Sequence, residues 1–148
     1  MNILIFPFAR GMRENKPHPK NYPYWKELIS LLEGENHTMI QVGIEGEEQL
    51  VPDFRKNLSM VELSKLVNEC DTWIGVDSFG QHFCWDLGKY GVVLWGQSDP
   101  NIFGHPENTN LLKDRKYLRE KQFWLWEQTN LIPESFVDPE IVVKALRE

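Results

Sequence analysis

Apolar residues in this chain fall into two rhythms that alternate along its length. Asn2 to Phe6 (NILIF), Trp73 to Val76 and Val92 to Trp95 are unbroken apolar runs, the pattern of strands buried on both faces. Thr38 to Val42 (TMIQV) is a shorter strand that runs into Gly43-Ile44-Glu45-Gly46, where glycines let the backbone turn. Between these runs the spacing becomes helical. Trp25, Leu28, Ile29, Leu31 and Leu32 form a stripe behind Pro23, a first-turn proline, and Gly34 ends it. Ser59 and Glu62 make a capping box ahead of Val61, Leu63, Leu66, Val67 and Cys70, predicting a helix from Met60 to Cys70. A short helix is expected between the Asp77-Ser78 turn and Gly88, and a last one begins at Asp138-Pro139-Glu140 and buries Ile141, Val142, Ala145 and Leu146. Leu111 and Leu112 read as a short strand, whereas Lys113 to Thr129, charged and aromatic, fits helix and extended structure equally.

Strands alternating with helices predict an α/β fold: a single Rossmann-like domain over residues 1–148, with a parallel sheet and helices on both faces. In such a sheet the loops at 7–22, 43–49 and 77–82 converge on one edge, with the turn-rich loop 96–105, too polar to be core, as a fourth. The first carries Arg10, Arg13, Lys16, Lys20 and, if protonated, His18; the second carries Glu45, Glu47 and Glu48. Backbone N–H groups after Asp77 are free at a helix start, so the edge offers cations and amides for a diphosphate and carboxylates for ribose hydroxyls. Plainer readings stand beside this one. Asp77 is at a usual position for a helix cap, the cations of residues 10–20 suit a solvated loop, and His82 reads as a packing histidine because no partner carboxylate is identifiable. Trp73, Trp85 and Trp95 read as core, and Trp124 and Trp126 as a cover for a sheet edge or a partner surface.

Composition narrows the classes. The 148 residues hold 16 basic and 22 acidic side chains, a net charge of −6, which argues against nucleic-acid binding while leaving room for one local basic pocket. Cys70 and Cys84 lack metal-ligand spacing and fall on inner helix faces, so buried thiols are expected and no metal or cofactor is implied. No basic leader or bilayer-length apolar segment is present, and the expected location is cytoplasmic, with no membrane span.

The order of several motifs is itself informative: K-x-Y-P at Lys20 to Pro23, V-G-x-E-x-E at Val42 to Glu47, a capping-box helix, W-I-G-V-D-S-F-G-Q-H at Trp73 to His82, and V-V-L-W-G-Q-S-D-P at Val92 to Pro100. Together they resemble the C-terminal, nucleotide-sugar-binding half of family 9 glycosyltransferases, the heptosyltransferase-like enzymes of GT-B fold, from Ile3 to the last helix. The resemblance implies a nucleotide-diphosphate sugar as ligand. It puts Asp77 and Ser78 against the donor sugar and its phosphates, Lys20 on a phosphate, Glu45 or Glu47 on the ribose, and Gln97, Ser98 and Asp99 along the pocket; Phe79, Gly80 and His82 belong to the same binding motif. Where the family often has glycine directly after D-S/T, this chain has Phe79, with Gly80 one position later. In the family the acceptor site and the proposed general base belong to an N-terminal domain not found in these residues, so no catalytic residue is assigned. A second chain, or a homo-oligomer, is then expected to supply the acceptor side. The alternative is a non-catalytic nucleotide or nucleotide-sugar binding protein, a sensor or sequestering module; a third reading is an interaction protein with a degenerate pocket.

Overall fold

In the computed structural model, which describes residues 1–10 and 16–147, all six strands join one parallel sheet. The strands are β1 (Asn2–Phe6), β2 (Thr38–Gly43), β3 (Phe54–Lys56), β4 (Thr72–Val76), β5 (Val92–Trp95) and β6 (Thr109–Leu112), in the spatial order β3-β2-β1-β4-β5-β6. The order reverses between β1 and β4, paired from Ile3↔Thr72 to Phe6↔Gly75. Arg13, among the expected loop cations, lies outside the described residues.

Side-chain alternation along the strands builds two cores. Ile3 and Ile5 of β1 point to one face, where helices α1 (Trp25–Gly34) and α5 (Pro139–Leu146) contribute Leu28, Leu32 and Val142. Leu4 and Phe6 point to the other, against Leu63, Leu66 and Val67 of α2 (Met60–Glu69) and Cys84 of α3 (Phe79–Asp86). Both faces of the sheet are therefore covered, as its all-parallel pairing requires. The capping box starts α2 as expected: Ser59 Oγ accepts from the Glu62 N–H and the Glu62 carboxylate from the Ser59 N–H. Trp73 and Trp95 are core residues whose indole N–H groups donate to the Lys89 carbonyl and to Asn110 Oδ1, both at 2.9 Å.

Several expectations need correction. Trp85 is exposed on α3, its ring stacked on His105 at 4.2 Å rather than in the core. Val61, Leu31 and Ile141 face water, because each lies beside rather than on the stripe of its helix. Strand β3 leaves no trace in the apolar pattern, being an edge strand of Phe-Arg-Lys with both charged residues exposed. The loop after β5 is buried where polarity predicted exposure: Gln97 is 5% exposed, Ser98 1% and Asp99 8%. Asp99 also caps a single helical turn, α4 (Pro100–Phe103), accepting from the Asn101 N–H. Residues 113–138 form neither long helix nor strand, but an irregular wrap with 3-10 turns at Arg115–Tyr117, Trp126–Gln128 and Pro133–Ser135. Among the described residues no helix is long and apolar enough to cross a membrane.

Candidate functional site

At the point where strand order reverses, the C-terminal ends of β1, β2 and β4 open into a cavity of about 550 Å³. This is the position at which doubly wound sheets bind ligands, because the connections there run to opposite faces and leave a crevice. Phe6, Phe8 and Val42 supply apolar wall; Lys20, Asp77 and Ser78 supply the polar part. The loops at 7–22, 43–49 and 77–82 therefore do converge. The loop after β3 joins them through Asn57 and Leu58, a contribution hidden from sequence along with β3 itself.

Asp77 is the centre of the polar wall. It continues β4 directly, is 5% exposed, and its Oδ1 accepts 2.9 Å from Nε2 of Gln81, one helical turn on. Its Oδ2 stands 3.2 Å from the Lys20 ammonium but makes no directed hydrogen bond, so the pair is held by charge and one buried carboxylate oxygen retains free accepting capacity. Gln81 is fully buried, and its role was hidden; the signal available was the i, i+4 spacing from Asp77.

Lys20 is brought to Asp77 by hydrogen bonds of the described residues around it. Asn21 Oδ1 accepts from the Ala9 N–H at 2.8 Å, Trp25 Nε1 donates to the Pro7 carbonyl at 3.1 Å, and Tyr22 Oη donates to the Val137 carbonyl at 2.8 Å. His18 Nδ1 accepts from the Lys20 N–H at 3.1 Å, which leaves Nε2 with the proton. Burial, reinforced by the Lys20 charge, lowers the His18 pKa from 6.5 to about 4, so it adds no positive charge to the cavity at neutral pH. Above them lies Trp126, its ring 5.2 Å from the Lys20 ammonium and 5.7 Å from the His18 ring.

Ser78 stands just before helix α3 and its hydroxyl makes no capping bond, so hydroxyl and first-turn amides are free at the cavity wall. Phe79 also lines the cavity; it is 53% exposed and its ring leans on Phe83 at 5.3 Å. Gly80 has a packing reason. A Cβ there would stand 2.5 Å from the Phe6 ring, so this glycine sets how closely α3 lies on β1.

The remaining sequence candidates divide. Glu47 lines the cavity, folded back so that Oε1 accepts from the Ile44 N–H at 2.7 Å; burial raises its pKa and that hydrogen bond opposes the rise. Glu45 stays outside, exposed and 3.5 Å from Lys56. His82 points away to His105, ring nitrogens 2.8 Å apart, and burial and that neighbour lower its pKa.

Gln97, Ser98 and Asp99 do not line the cavity either. Gln97 Nε2 donates to the Asn130 carbonyl at 2.7 Å, and its own carbonyl accepts from Gln122 at 2.9 Å and from the Arg119 N–H at 3.0 Å. Asp99 takes a forked pair of bonds from Arg115, at 3.2 and 2.8 Å, and Arg115 holds the Asp99 carboxyl below the usual carboxylate range. These residues tie down the wrap that carries Trp126. Arg119 completes it, with its guanidinium 3.4 Å from the Trp126 ring centroid and bonded to the carbonyls of Gln122 and Trp124. Gln97 and Asp99 thus support the segment whose Trp126 ring lies 5.2 Å from the Lys20 ammonium.

A parallel sheet in this strand order, with its cavity at the switch point, defines a Rossmann-like α/β fold. Solved structures with a similar fold include glycosyltransferases. The chain is similar to ADP-heptose lps heptosyltransferase II of E. coli, with TM-score 0.70 and 18% identity over 99% of this chain and 45% of that one. It is also similar to the glycosyl transferase family 9 structure from Veillonella parvula DSM 2008, with TM-score 0.69 and 17% identity over 98% of this chain and 44% of that one. A third likeness is to the dodecameric iron-containing heptosyltransferase TibC of enterotoxigenic E. coli in complex with ADP-D-beta-D-heptose, with TM-score 0.66 and 14% identity over 99% of this chain and 44% of that one. At these identities the likeness is one of fold, and the chain spans less than half the length of each structure. No protein-family model matches the sequence, and no curated protein matches it.

Proposed function

We propose that the cavity binds a nucleotide-diphosphate sugar and that these residues act as the donor-binding half of a glycosyltransferase. The observation that carries the reading is the meeting of Lys20, Asp77 and the uncapped start of α3 in one cavity at the switch point. Helix-start amides and the Ser78 hydroxyl donate to phosphate oxygens, Lys20 offsets diphosphate charge, and the free Asp77 oxygen accepts from a sugar hydroxyl. Glu47 is the wall carboxylate within reach of a ribose. The resemblance in fold to a heptosyltransferase solved with ADP-D-beta-D-heptose supports this choice of ligand class. Transfer then draws its acceptor side from a second chain or another copy of this one.

One observation favours a second reading, binding without transfer. Both carboxylates of the cavity wall already have protein partners, Asp77 in Lys20 and Gln81 and Glu47 in the Ile44 N–H, an arrangement that suits binding groups more than a general base.

Thermal melting with nucleoside diphosphates and their sugars tests the proposal. Ligand at about 100 times its Kd adds about 2.7 kcal/mol, which for a chain of this size is a rise of roughly 5–10 °C. The rise is expected to vanish in Lys20→Ala and Asp77→Ala. A rise that survives both substitutions would place the ligand elsewhere. Sugar transfer by the purified chain alone would rule out the second reading.

A further inference from the structure

We infer that His18 is a ligand-binding residue of the cavity, donating its Nε2–H to a phosphate oxygen of the bound diphosphate as an uncharged partner of Lys20. This role rests on the diphosphate ligand proposed above. His18 lines the cavity and is 9% exposed. The Lys20 N–H donates to its Nδ1 at 3.1 Å, its own carbonyl accepts from the Asn21 N–H at 2.9 Å, and the Trp126 ring lies tilted against the imidazole, centroids 5.7 Å apart. The ring is therefore held in one orientation. A neutral imidazole whose Nδ1 accepts carries its proton on Nε2. Among the described residues Nε2 has no hydrogen-bond partner, and it does not belong to the unpartnered side-chain atoms that are sealed from solvent. A nearly buried donor left unpaired costs stability, and a ligand oxygen removes that cost.

The charges of the cavity wall explain why an uncharged donor matters. Among the described residues that line it, Arg10 and Lys20 are opposed by Asp77 and Glu47, and the Lys20 ammonium already stands 3.2 Å from Asp77. A diphosphate meets little net positive charge there, so its oxygens depend on directed donors: the start of α3, the Ser78 hydroxyl and His18. Burial, and after it the Lys20 charge, keeps His18 neutral at neutral pH, so the imidazole stands beside the ammonium without repelling it. Because the bond that fixes the tautomer comes from the backbone of Lys20 itself, one short turn presents both the ammonium and the Nε2–H. The sequence counts His18 with the loop cations; the structure makes it a neutral donor.

Two substitutions separate the two ring nitrogens. In His18→Asn the side-chain oxygen takes the place of Nδ1 and the cavity donor is lost; in His18→Gln the amide nitrogen takes the place of Nε2 and the acceptor for the Lys20 N–H is lost. ADP, GDP and UDP are titrated calorimetrically into the full chain at neutral pH. Affinity is expected to fall about ten-fold in His18→Asn, the effect of one hydrogen bond to a charged acceptor, and to be partly restored in His18→Gln. The reverse order, with His18→Gln the weaker binder, would make His18 only a support for the Lys20 turn and overturn the inference. Parent-like binding by His18→Asn, with binding lost in Lys20→Ala, would overturn it while leaving the diphosphate reading standing; a parent chain that binds no diphosphate would overturn both. Imidazole nitrogen resonances of the parent chain give the result without substitution. The diphosphate that binds is expected to shift His18 Nε2 well beyond Nδ1 with the proton still on Nε2, and an unmoved Nε2 would overturn the role.

Discussion

After β5, the buried polar groups of Gln97 and Asp99 meet Asn130, Gln122 and Arg115, all from the same chain. After β1 and β4, at the same edge of the same sheet, Lys20 and Asp77 meet one another across an open cavity, with one oxygen of Asp77 left without a directed hydrogen bond. Both regions look alike as sequence, short polar stretches following apolar runs. What separates them is where their hydrogen bonds go. The β5 side closes its own account and serves as scaffold, while the β1–β4 side leaves capacity that a ligand can use.

The comparison is broken most severely on the scaffold side. Arg119→Ala removes a guanidinium that holds several carbonyls and the Trp126 ring, and is expected to cost roughly 3–4 kcal/mol, a fall of roughly 10 °C in melting temperature. A fall of a degree or less would show that the wrap is held by something else. Acid tests the cavity side next. The folded chain keeps His18 neutral down to about pH 4, whereas the unfolded chain takes up a proton near 6.5, so its contribution is complete above pH 6.5 and is lost as pH falls toward 4. The loss is at most about 3.4 kcal/mol by the size of that shift. It should be missing from His18→Asn, which keeps an acceptor for the Lys20 N–H but cannot titrate; denaturant midpoints across this pH range measure both.

Smaller effects sharpen the contrast. Asp99→Ala is expected to destabilise by about 1 kcal/mol, chiefly through the lost cap on α4, because the Arg115 end of its ion pair is more than half exposed. Asp77→Asn is expected to change stability by no more than about 0.5 kcal/mol, since an amide oxygen still accepts from Gln81, while weakening nucleotide-sugar binding. If Asp77→Asn proved the more damaging of the two in urea, Asp77 would be scaffold and the contrast would fail.

The strands β1, β2, β4, β5 and β6 and the helices α1, α2, α3 and α5 were legible in the sequence from apolar runs, helical spacing and caps, and the parallel sheet followed from their alternation; the single turn α4 was not. That the loops of Lys20 and Asp77 share one sheet edge was legible through motif order and strand topology; their ion pair was not. The resemblance put Gln97 to Asp99 along the pocket, and their composition could not object, since a polar stretch after a strand looks the same whether its partners are protein or ligand. Residues 16 to 33 positions away, Arg115, Gln122 and Asn130, decide that. Trp126 reaches Lys20 through a segment without periodicity, and β3 is an edge strand with too few buried residues to make a pattern.

Calorimetric titration of a nucleoside diphosphate and its sugar into Lys20→Ala and Arg115→Ala, beside the parent chain, tests the central claim most directly. Lys20→Ala is expected to lose about 100-fold in affinity, the effect of removing a charge-assisted contact to phosphate, and Arg115→Ala to bind as the parent does. Unchanged binding by Lys20→Ala, or a loss confined to Arg115→Ala, would put the ligand on the β5 side and contradict the account.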